Sequence, residues 1–489
     1  MNQRTMERRR LLRQIAVIAI PVALQNLLTN TGSMVDTMML AKLGEITVSA
    51  VGLCAQFASL FVSCYWGFIG GGTLFVAQYW GAKDDRGIRR AYGLSLCMIL
   101  AVGMLFFVLA GLFPRAVMSV YTDKENLKQL GIQYLKIYAW VFPLQSIIVA
   151  MGMLLRSIER VKVPMIAGIA SVFTNCFCNY VLIFGKFGAP ALGAPGAAIG
   201  TVIANVVNLA VLVVYALVGK VPYVLQLHKC FDWGRGFVRE YFGRSSLILC
   251  NEAGMGISTM LINVVLGRQS PAAIAASVIY RAIEAMVVAF FTGFSSAGSI
   301  LVGKDVGAGE HEAAQKKTVF LVYLTSFCIF LCCSLIMVFH RPLFTALGLS
   351  GESFEICTVL CSIYCIVAVI RLGNWQHNDC FRAGGDPFFG TALEISFMYL
   401  LVVPSVYIAH FVFHAPFFVV FLFVYCDEPI RYVLMERHLY SRKWIQPVSD
   451  KGRETIEAFR EKYGVQMGYP LLDKLKGFSM LLSCFRTRK

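Results

Sequence analysis

The chain has 489 residues, of which 57% are hydrophobic and only 15% are charged, with a mean hydropathy of +0.67. Soluble globular proteins carry about 25% charged residues, so this composition indicates a membrane protein. The formal charge of +16 would suit a nucleic-acid-binding protein, but the basic residues lie in short loops and the tail, without an RNA- or DNA-reading motif. We therefore expect a lipid bilayer, and no nucleic acid, as a partner.

Apolar runs of about 20 residues recur along the whole chain, which is the length that a helix needs to cross a bilayer. They predict an all-α integral membrane protein with twelve transmembrane helices. The predicted spans are residues 15–40, 48–76, 92–113, 132–155, 163–184, 196–219, 241–266, 272–302, 318–339, 354–381, 388–410 and 415–436.

The connections between these spans alternate in charge. The even-numbered connections and the C-terminal tail hold most of the Lys and Arg residues, as in KDDRGIRR after span 2 and RSIERVK after span 4. Cytoplasmic loops are enriched in positive charge, so both termini are predicted to be cytoplasmic, in the plasma or inner membrane of the cell.

The two halves of the chain resemble each other at a constant offset. Gly81 and Gly307, which follow spans 2 and 8, are 226 positions apart, as are Arg156 and Arg382 at the ends of spans 4 and 10. This predicts two six-helix lobes related by a pseudo-two-fold axis along the membrane normal. The predicted units are an N-terminal lobe (1–219), an inter-lobe cytoplasmic loop (220–240), a C-terminal lobe (241–436) and a basic cytoplasmic tail (437–489).

One carboxylate, Asp36, lies in the first apolar helix, downstream of Pro21, which would let that helix bend. A buried acid in a membrane helix is costly and indicates function, although Asp36 could instead face water at the outer helix end. Asn175 and Asn179 share one face of span 5 and could bind sodium or a protonated acid, or simply join two helices. Thr201 lies in a small-residue run of span 6, where helices pack closely.

The second half carries its own charged residues within predicted spans. Glu252 lies well inside span 7 and is the second candidate for coupling a cation or proton. Arg281 and Glu284, at i and i+3 of span 8, are expected to neutralise each other. Arg371 in span 10 is expected either to hold Glu252 or to bind an anionic group of a substrate.

No motif for catalysis or for ATP hydrolysis occurs in the sequence, such as G-x-x-x-x-G-K-[ST], G-x-S-x-G or H-E-x-x-H. Cys357, Cys361 and Cys365 form one helical stripe, but cysteine in an apolar helix usually behaves as a small hydrophobic residue. We therefore expect no enzyme, no cofactor and no bound metal. Transport would be driven by an ion gradient or would be passive.

Several segments, in matching order over about residues 10–440, resemble the multidrug and toxic compound extrusion (MATE) transporters of bacterial type. They are IPVALQNLLTNTGSMVDTMMLAKLGE, AVGL, VAQYWGAKD, LIFGKFGAPALGAPGAAIGTVIAN and the LRS and FRAGGDP ends of spans 4 and 10. The resemblance implies a secondary antiporter that exports organic, often cationic, drugs or toxins against inward proton or sodium flow.

The resemblance also assigns roles to individual residues. Asp36 falls on the family's helix 1 acid, Asn175 on its helix 5 asparagine and Thr201 on its helix 6 threonine. Glu252 falls on the helix 7 glutamate of one branch. Asn179 stands where some members have aspartate, and the helix 10 acid of the sodium-linked branch is missing, which favours protons at Asp36.

Two other functions stay open. A flippase for lipid-linked saccharides would have a similar helical plan and would need a large cationic cavity. A membrane scaffold or sensor without transport would leave Asp36 and Glu252 silent in every flux assay. We expect a monomer, with a helix over residues 453–463, followed by a basic and apolar segment that lies on the membrane or in water.

Overall fold

The computed structural model describes residues 3–465, and within them the chain forms only helices and the turns that join them. The helices of the first half are α1 (Gln3–Ala41), α2 (Glu45–Ala82), α3 (Asp85–Leu112), α4 (Pro114–Tyr121), α5 (Glu125–Tyr138), α6 (Val141–Ser157), α7 (Lys162–Phe184), α8 (Ala194–Val218) and α9 (Pro222–Leu225). A short 3-10 helix, Leu227–Phe231, follows α9.

The helices of the second half are α10 (Arg235–Leu266), α11 (Pro271–Gly307), α12 (His311–Val338), α13 (His340–Ala346), α14 (Glu352–Gly384), α15 (Pro387–Phe397), α16 (Val403–Phe411), α17 (Phe417–Phe423), α18 (Glu428–Ser441) and α19 (Asp450–Tyr463). A π-helical turn, Met398–Val402, joins α15 to α16. The expected C-terminal helix is therefore present as α19, and the basic segment 474–489 lies outside the described residues.

Ten helices of residues 3–465 are long and apolar enough to cross a membrane, and the pair α5 and α6 would make an eleventh. This confirms the predicted all-α membrane class. The fourth predicted span is broken, because α5 and α6 meet at an angle of 46°. Pro143, in the first turn of α6, has no N–H to bond to the carbonyl of Ala139, which weakens the helix at the observed break.

The prediction of one helix over residues 415–436 is wrong. The chain forms the short helix α17, turns, and starts α18 at Glu428. Pro429 occupies the first turn of α18, where its missing N–H is harmless but where a preceding helix cannot continue. The break brings Asp427 and Arg431, both at most 2% exposed, into the interior of the second half.

The apolar core divides mainly between the two halves of the chain. In the first half, rings of Phe57, Phe61, Phe106 and Phe142 pack together with centroids 4.9–5.8 Å apart. In the second half, rings from α11, α14 and the region of α17 pack in the same way. Each half thus has an apolar centre of its own.

The halves meet where α2 crosses α11, at the two glycines of the predicted repeat. A Cβ on Gly81 would lie 1.9 Å from the carbonyl oxygen of Lys304, and a Cβ on Gly307 would lie 1.9 Å from that of Gln78. Only glycine allows the two backbones to approach so closely. We call this end of the molecule, which carries the α2–α3, α6–α7, α8–α10 and α11–α12 connections, the basic side.

Helix α10 changes its packing partner along its length. The segment of α10 near the basic side packs on α2, where a Cβ on Gly71 would lie 1.9 Å from the Ser245 hydroxyl oxygen. Farther along α10, Tyr399 donates a hydrogen bond to the carbonyl of Gly254 (2.7 Å) and Tyr407 donates one to that of Leu261 (3.1 Å). α10 therefore contacts the first half near the basic side and the second half farther from it.

The crossing of α2 and α11 predicts a strong asymmetry between two glycine-to-alanine substitutions. Gly307→Ala should lower the free energy of unfolding by about 1–3 kcal/mol, because its methyl group must push two backbones apart. Gly256→Ala, on α10 with no atom near the added Cβ, should be neutral or slightly stabilising. Thermal unfolding of both variants in detergent tests this; equal melting temperatures would contradict the backbone contact.

Candidate functional site

The first half brings Asp36, Asn175, Asn179 and Thr201 into one polar cluster between α1, α7 and α8. Asn179 donates from its amide nitrogen to Asp36 Oδ1 (2.8 Å) and to Asn175 Oδ1 (3.2 Å). Asn175 donates to the Thr201 hydroxyl (3.3 Å). All four predicted first-half residues are therefore joined by hydrogen bonds.

The amide group of Asn175 fits the cluster in a second orientation. When its oxygen and nitrogen are exchanged, the nitrogen lies 2.8 Å from both carboxylate oxygens of Asp36. In this orientation two amide donors, from Asn175 and Asn179, hold one carboxylate. This is an arrangement that stabilises the ionised acid.

Close helix packing fixes Asn179 beneath Asp36. Asn179 is 1% exposed, whereas Asp36 is only partly buried. A Cβ on Gly200 of α8 would lie 2.2 Å from Asn179 Oδ1, so a glycine is required where α8 passes this side chain. Asp36 is thus the partly exposed partner of the buried amide of Asn179.

Pro21 lies where α1 changes its packing partner. Ala19 and Ala23, on either side of Pro21, contact Gly293 of α11 in the second half, whereas Gln25, half a turn farther on, contacts Gly168 of α7 in the first half. The helix runs through Pro21 without a break. Pro21 leaves the carbonyl of Val17 without its usual partner, which makes this the weakest point of α1 for bending.

The second half contains a larger buried network centred on Arg431 of α18. Its guanidinium group is 2% exposed and lies 3.0 Å from an oxygen of Asp427 and 3.7 Å from oxygens of both Glu394 and Glu428. Asn251 donates to Glu394 (3.0 Å). Buried charges are tolerated only when they are paired and hydrogen-bonded in this way.

Two amides of α14 complete the network. Asn378 donates to Glu394 (3.2 Å), and Asn374 donates to the carboxylate of Glu428 (2.8 Å). Four acids of the second half, Glu284, Glu394, Asp427 and Glu428, therefore share two buried arginines, Arg371 and Arg431.

The ion pairs expected in the second half are wrong in their partners. Arg281 does not neutralise Glu284; its guanidinium group donates to the side chain of Asn263. Glu284 pairs with Arg371 (2.5 Å), so Arg371 does not hold Glu252. These assignments failed because long arginine side chains reach acids on neighbouring helices as readily as acids one turn away.

Glu252 lies instead beside Arg382, with 3.7 Å between a guanidinium nitrogen and a carboxylate oxygen. Arg382 is the residue whose counterpart at the repeat offset is Arg156. Glu252 is partly exposed, so it is the most accessible acid of this region, while Glu394 is 4% exposed.

A cavity of about 130 Å³ lies against this network, between α10, α11, α14 and α17–α18. Its lining combines charged groups with the aromatic side chains of Tyr280, Trp375, Phe421 and Tyr425. The guanidinium carbon of Arg371 lies 4.8 Å from the ring centre of Trp375 and 5.2 Å from that of Tyr425. Arginines and carboxylates both line it, so the cavity is not uniformly cationic.

Several residues of this network were not predicted. Asp427, Glu428 and Arg431 are three ionisable residues within five positions of a predicted span, which is itself a signal that the span is not a simple lipid-facing helix. Glu394 is a single acid in an apolar run, as Asp36 is, and the same rule that selected Asp36 would have selected it.

The cysteine stripe behaves as a small hydrophobic surface. Cys357 and Cys361 are at most 1% exposed in the apolar core of the second half, and Cys365 donates weakly to the carbonyl of Cys333 (3.7 Å). Within residues 3–465, no group of His, Cys, Asp and Glu side chains is placed to hold a metal ion.

A polar cluster in each half of a helical membrane protein is an arrangement that membrane transporters use, because they place ionisable residues in the bundle interior. The MatE family model matches this chain twice, over residues 21–181 and 249–408. The chain therefore belongs to the MatE family of transporters. The two matches begin 228 residues apart (249 − 21), close to the predicted repeat offset of 226.

Relatives of known sequence and structure match most of the chain. The uncharacterized transporter YisQ of Bacillus subtilis is 25% identical over 418 residues, which cover 84% of this chain and 90% of YisQ. The probable multidrug resistance protein YoeA of the same bacterium is 24% identical and covers 81% of this chain and 86% of its own length. An outward-facing structure of a multidrug resistance MATE family transporter superposes with a TM-score of 0.78 and 16% identity, covering 88% of this chain and 96% of its own.

The buried network predicts that Arg431 supports the fold of the second half. Arg431→Met should lower the free energy of unfolding by about 3–5 kcal/mol, because three carboxylates would lose their cation in the interior. Arg281→Met, at an exposed arginine of the same half, should cost well under 1 kcal/mol. Thermal unfolding in nanodiscs compares the two; similar losses would contradict the proposed pairing.

Proposed function

We propose that this protein is a secondary active antiporter that exports organic, often cationic, drugs or toxins in exchange for protons or sodium. Its membership of the MatE family supports transport, and the name of its relative YoeA, a probable multidrug resistance protein, supports drugs as substrates. The observation that carries the coupling proposal is the cluster of Asp36 with Asn175 and Asn179.

The proposed coupling group is Asp36, and protons are the favoured ion. An ionised carboxylate accepts hydrogen bonds at both oxygens, so it can bind the amides of Asn175 and Asn179 together and hold α1 against α7. A protonated Asp36 has no charge and one oxygen that now carries a donor. Protonation therefore weakens the hydrogen bonds by which Asn175 and Asn179 hold the part of α1 that follows Pro21.

Release of this part of α1 would let the helix bend at Pro21 and change its packing against α7. A bound cationic substrate and a proton would then compete for Asp36, since each neutralises the same carboxylate. Protonation from outside would expel the substrate, and substrate binding from inside would expel the proton. Coupling requires only that Asp36 binds the proton differently in the two conformations of the protein.

The proposed orientation places the basic side, with both termini, in the cytoplasm of a bacterial-type cell membrane. The contacts between α2 and α11 then close the cytoplasmic side. This supports an outward-facing conformation, in which Asp36 would be open to the outer solution. We propose that the transporter works as a monomer, with an N-terminal lobe of residues 1–219 and a C-terminal lobe of residues 241–436.

The second-half centre supplies the alternative coupling site. Glu252 beside Arg382 is the accessible acid there, and sodium-driven transport would move the coupling role to Glu252. The saccharide flippase has less support, because the second-half cavity mixes arginines with four carboxylates and would repel a pyrophosphate as much as attract it.

The direct test reconstitutes the protein in proteoliposomes and measures movement of a fluorescent cationic dye under an imposed pH or sodium gradient. Wild-type protein should move the dye in the direction opposite to the flow of protons down the imposed pH gradient. Asp36→Asn keeps a side chain of the same shape without the titratable group, and it should reduce coupled dye movement by at least about tenfold while the melting temperature stays near that of wild type.

Asp123→Asn is the matched control, because Asp123 is an exposed acid in the loop between α4 and α5. It should transport as wild type does. Full proton-driven movement in Asp36→Asn would refute the assignment of Asp36, whereas movement driven only by sodium would transfer it to the second half. No movement under either gradient would refute the antiporter itself.

A further inference from the structure

One side chain links the two halves from inside the basic side. Gln78 of α2 is fully buried, and its amide nitrogen donates to the carbonyl of Ala383 at the end of α14 (2.8 Å). Its amide oxygen accepts from the backbone N–H of Val448 (2.7 Å). Both ends of a first-half side chain are therefore bound to backbone that follows residue 380.

Val448 belongs to a segment that lies across the end of the second half. We call residues 442–463 the strap. The indole ring of Trp444 is fully buried over Gly384, where an added Cβ would lie 2.3 Å from the ring. The backbone N–H of Gln446 donates to the carbonyl of Gly384 (2.8 Å), and Arg244 donates to the carbonyl of Gln446 (3.1 Å).

The helical part of the strap, α19, continues over the crossing of α2 and α11. Ser449, which precedes α19, donates to the carbonyl of Gly307, the crossing glycine itself (2.8 Å). Ile456 and Phe459 are both 6% exposed and pack with residues of α11 and α12. The apolar face of this short polar helix is thus fully used in docking.

Ion pairs fix both edges of α19. Arg453 pairs with Glu240 of α10 (2.6 Å), and Lys462 pairs with Glu312 of α12 (2.5 Å). The Lys462 ammonium group gains a hydrogen bond and a negative neighbour in Glu312, which raises the pKa of Lys462. The pairs are exposed and individually weak, but they set the direction in which α19 lies.

We propose that the strap is a latch that holds the basic side closed, and that Gln78 is the point at which it grips the first half. Most contacts of the strap are with the second half, so it would stay there when the halves separate. Gln78 would have to leave both of its backbone partners together. A buried amide that loses its partners before water reaches it is costly, so this step opposes opening.

This proposal does not depend on the coupling ion or the substrate. Any movement that separates α2 from α11 at the basic side must release Gln78 from Val448 and uncover Ser449 at Gly307. The strap would therefore set how often that side opens, and a partner or modification that lifts α19 would increase it.

The test measures the distance between nitroxide labels at Lys83 and Lys316 by pulsed electron resonance, in full-length protein in nanodiscs. Both residues are exposed, one in each half at the basic side. Labels on noncanonical amino acids leave the native cysteines in place. Gln78→Leu removes both hydrogen bonds, and Ile456→Asp places a charge in the docking face of α19. Each should raise the population with long distances about fivefold or more.

Two controls introduce the same new residue at an exposed position of the same helix: Gln56→Leu on α2 and Ala458→Asp on α19. Hydrogen exchange over residues 450–463 must show that Ile456→Asp frees α19, and melting temperatures must show that both test variants fold. Long distances in both test variants, and in neither control, support the latch. Unchanged distances in folded variants, or a response in only one of them, overturn it, because the proposal requires both the strap and Gln78.

Discussion

Charged and polar groups inside a membrane protein must find partners within the protein, and this constraint organises the whole molecule. In the first half a single carboxylate, Asp36, rests on two amides. In the second half, where α17 and α18 replace one long helix, Arg431 gathers three carboxylates. The same requirement therefore yields a simple, accessible site in one half and a dense, enclosed network in the other.

This difference between the halves suggests a division of labour. A lone acid that contacts water can gain or lose a proton without disturbing other charges, which suits the proposed coupling role of Asp36. In the network around Arg431 each charge depends on several buried partners, so a change at one group leaves others unpaired. Its first role is to hold the broken helices of the second half together.

The halves are joined by contacts that need small or flexible side chains. Gly81 and Gly307 let two backbones touch, and Gln78 reaches across beside them. At this crossing the two backbones are closely fitted, and the packing of α1 on α11 and of α10 on α2 extends the contact between the halves. The strap covers this joint and contacts both Gln78 and Gly307, the residues that would separate in the proposed transport cycle.

Sequence patterns selected the residues that cluster in the first half, because the Asn175 and Asn179 spacing and the single acid Asp36 are local signals; their role in coupling stays a prediction. The fold class and the repeat followed from apolar runs and from glycines at a constant offset. The partners of Arg371 and Arg281 were not predictable, since each could reach acids on several helices. The breaks at Pro143 and Pro429 were hidden within apolar runs, and the strap has too few apolar residues to reveal where α19 docks.

The central claim, that substrate and proton share Asp36, is tested most directly by proton release on substrate binding. Purified protein in weakly buffered solution with a pH-sensitive dye would be mixed with an organic cation that it binds. The account predicts release of up to one proton per bound cation in wild-type protein and none in Asp36→Asn. Equal proton release from Asp36→Asn would contradict it.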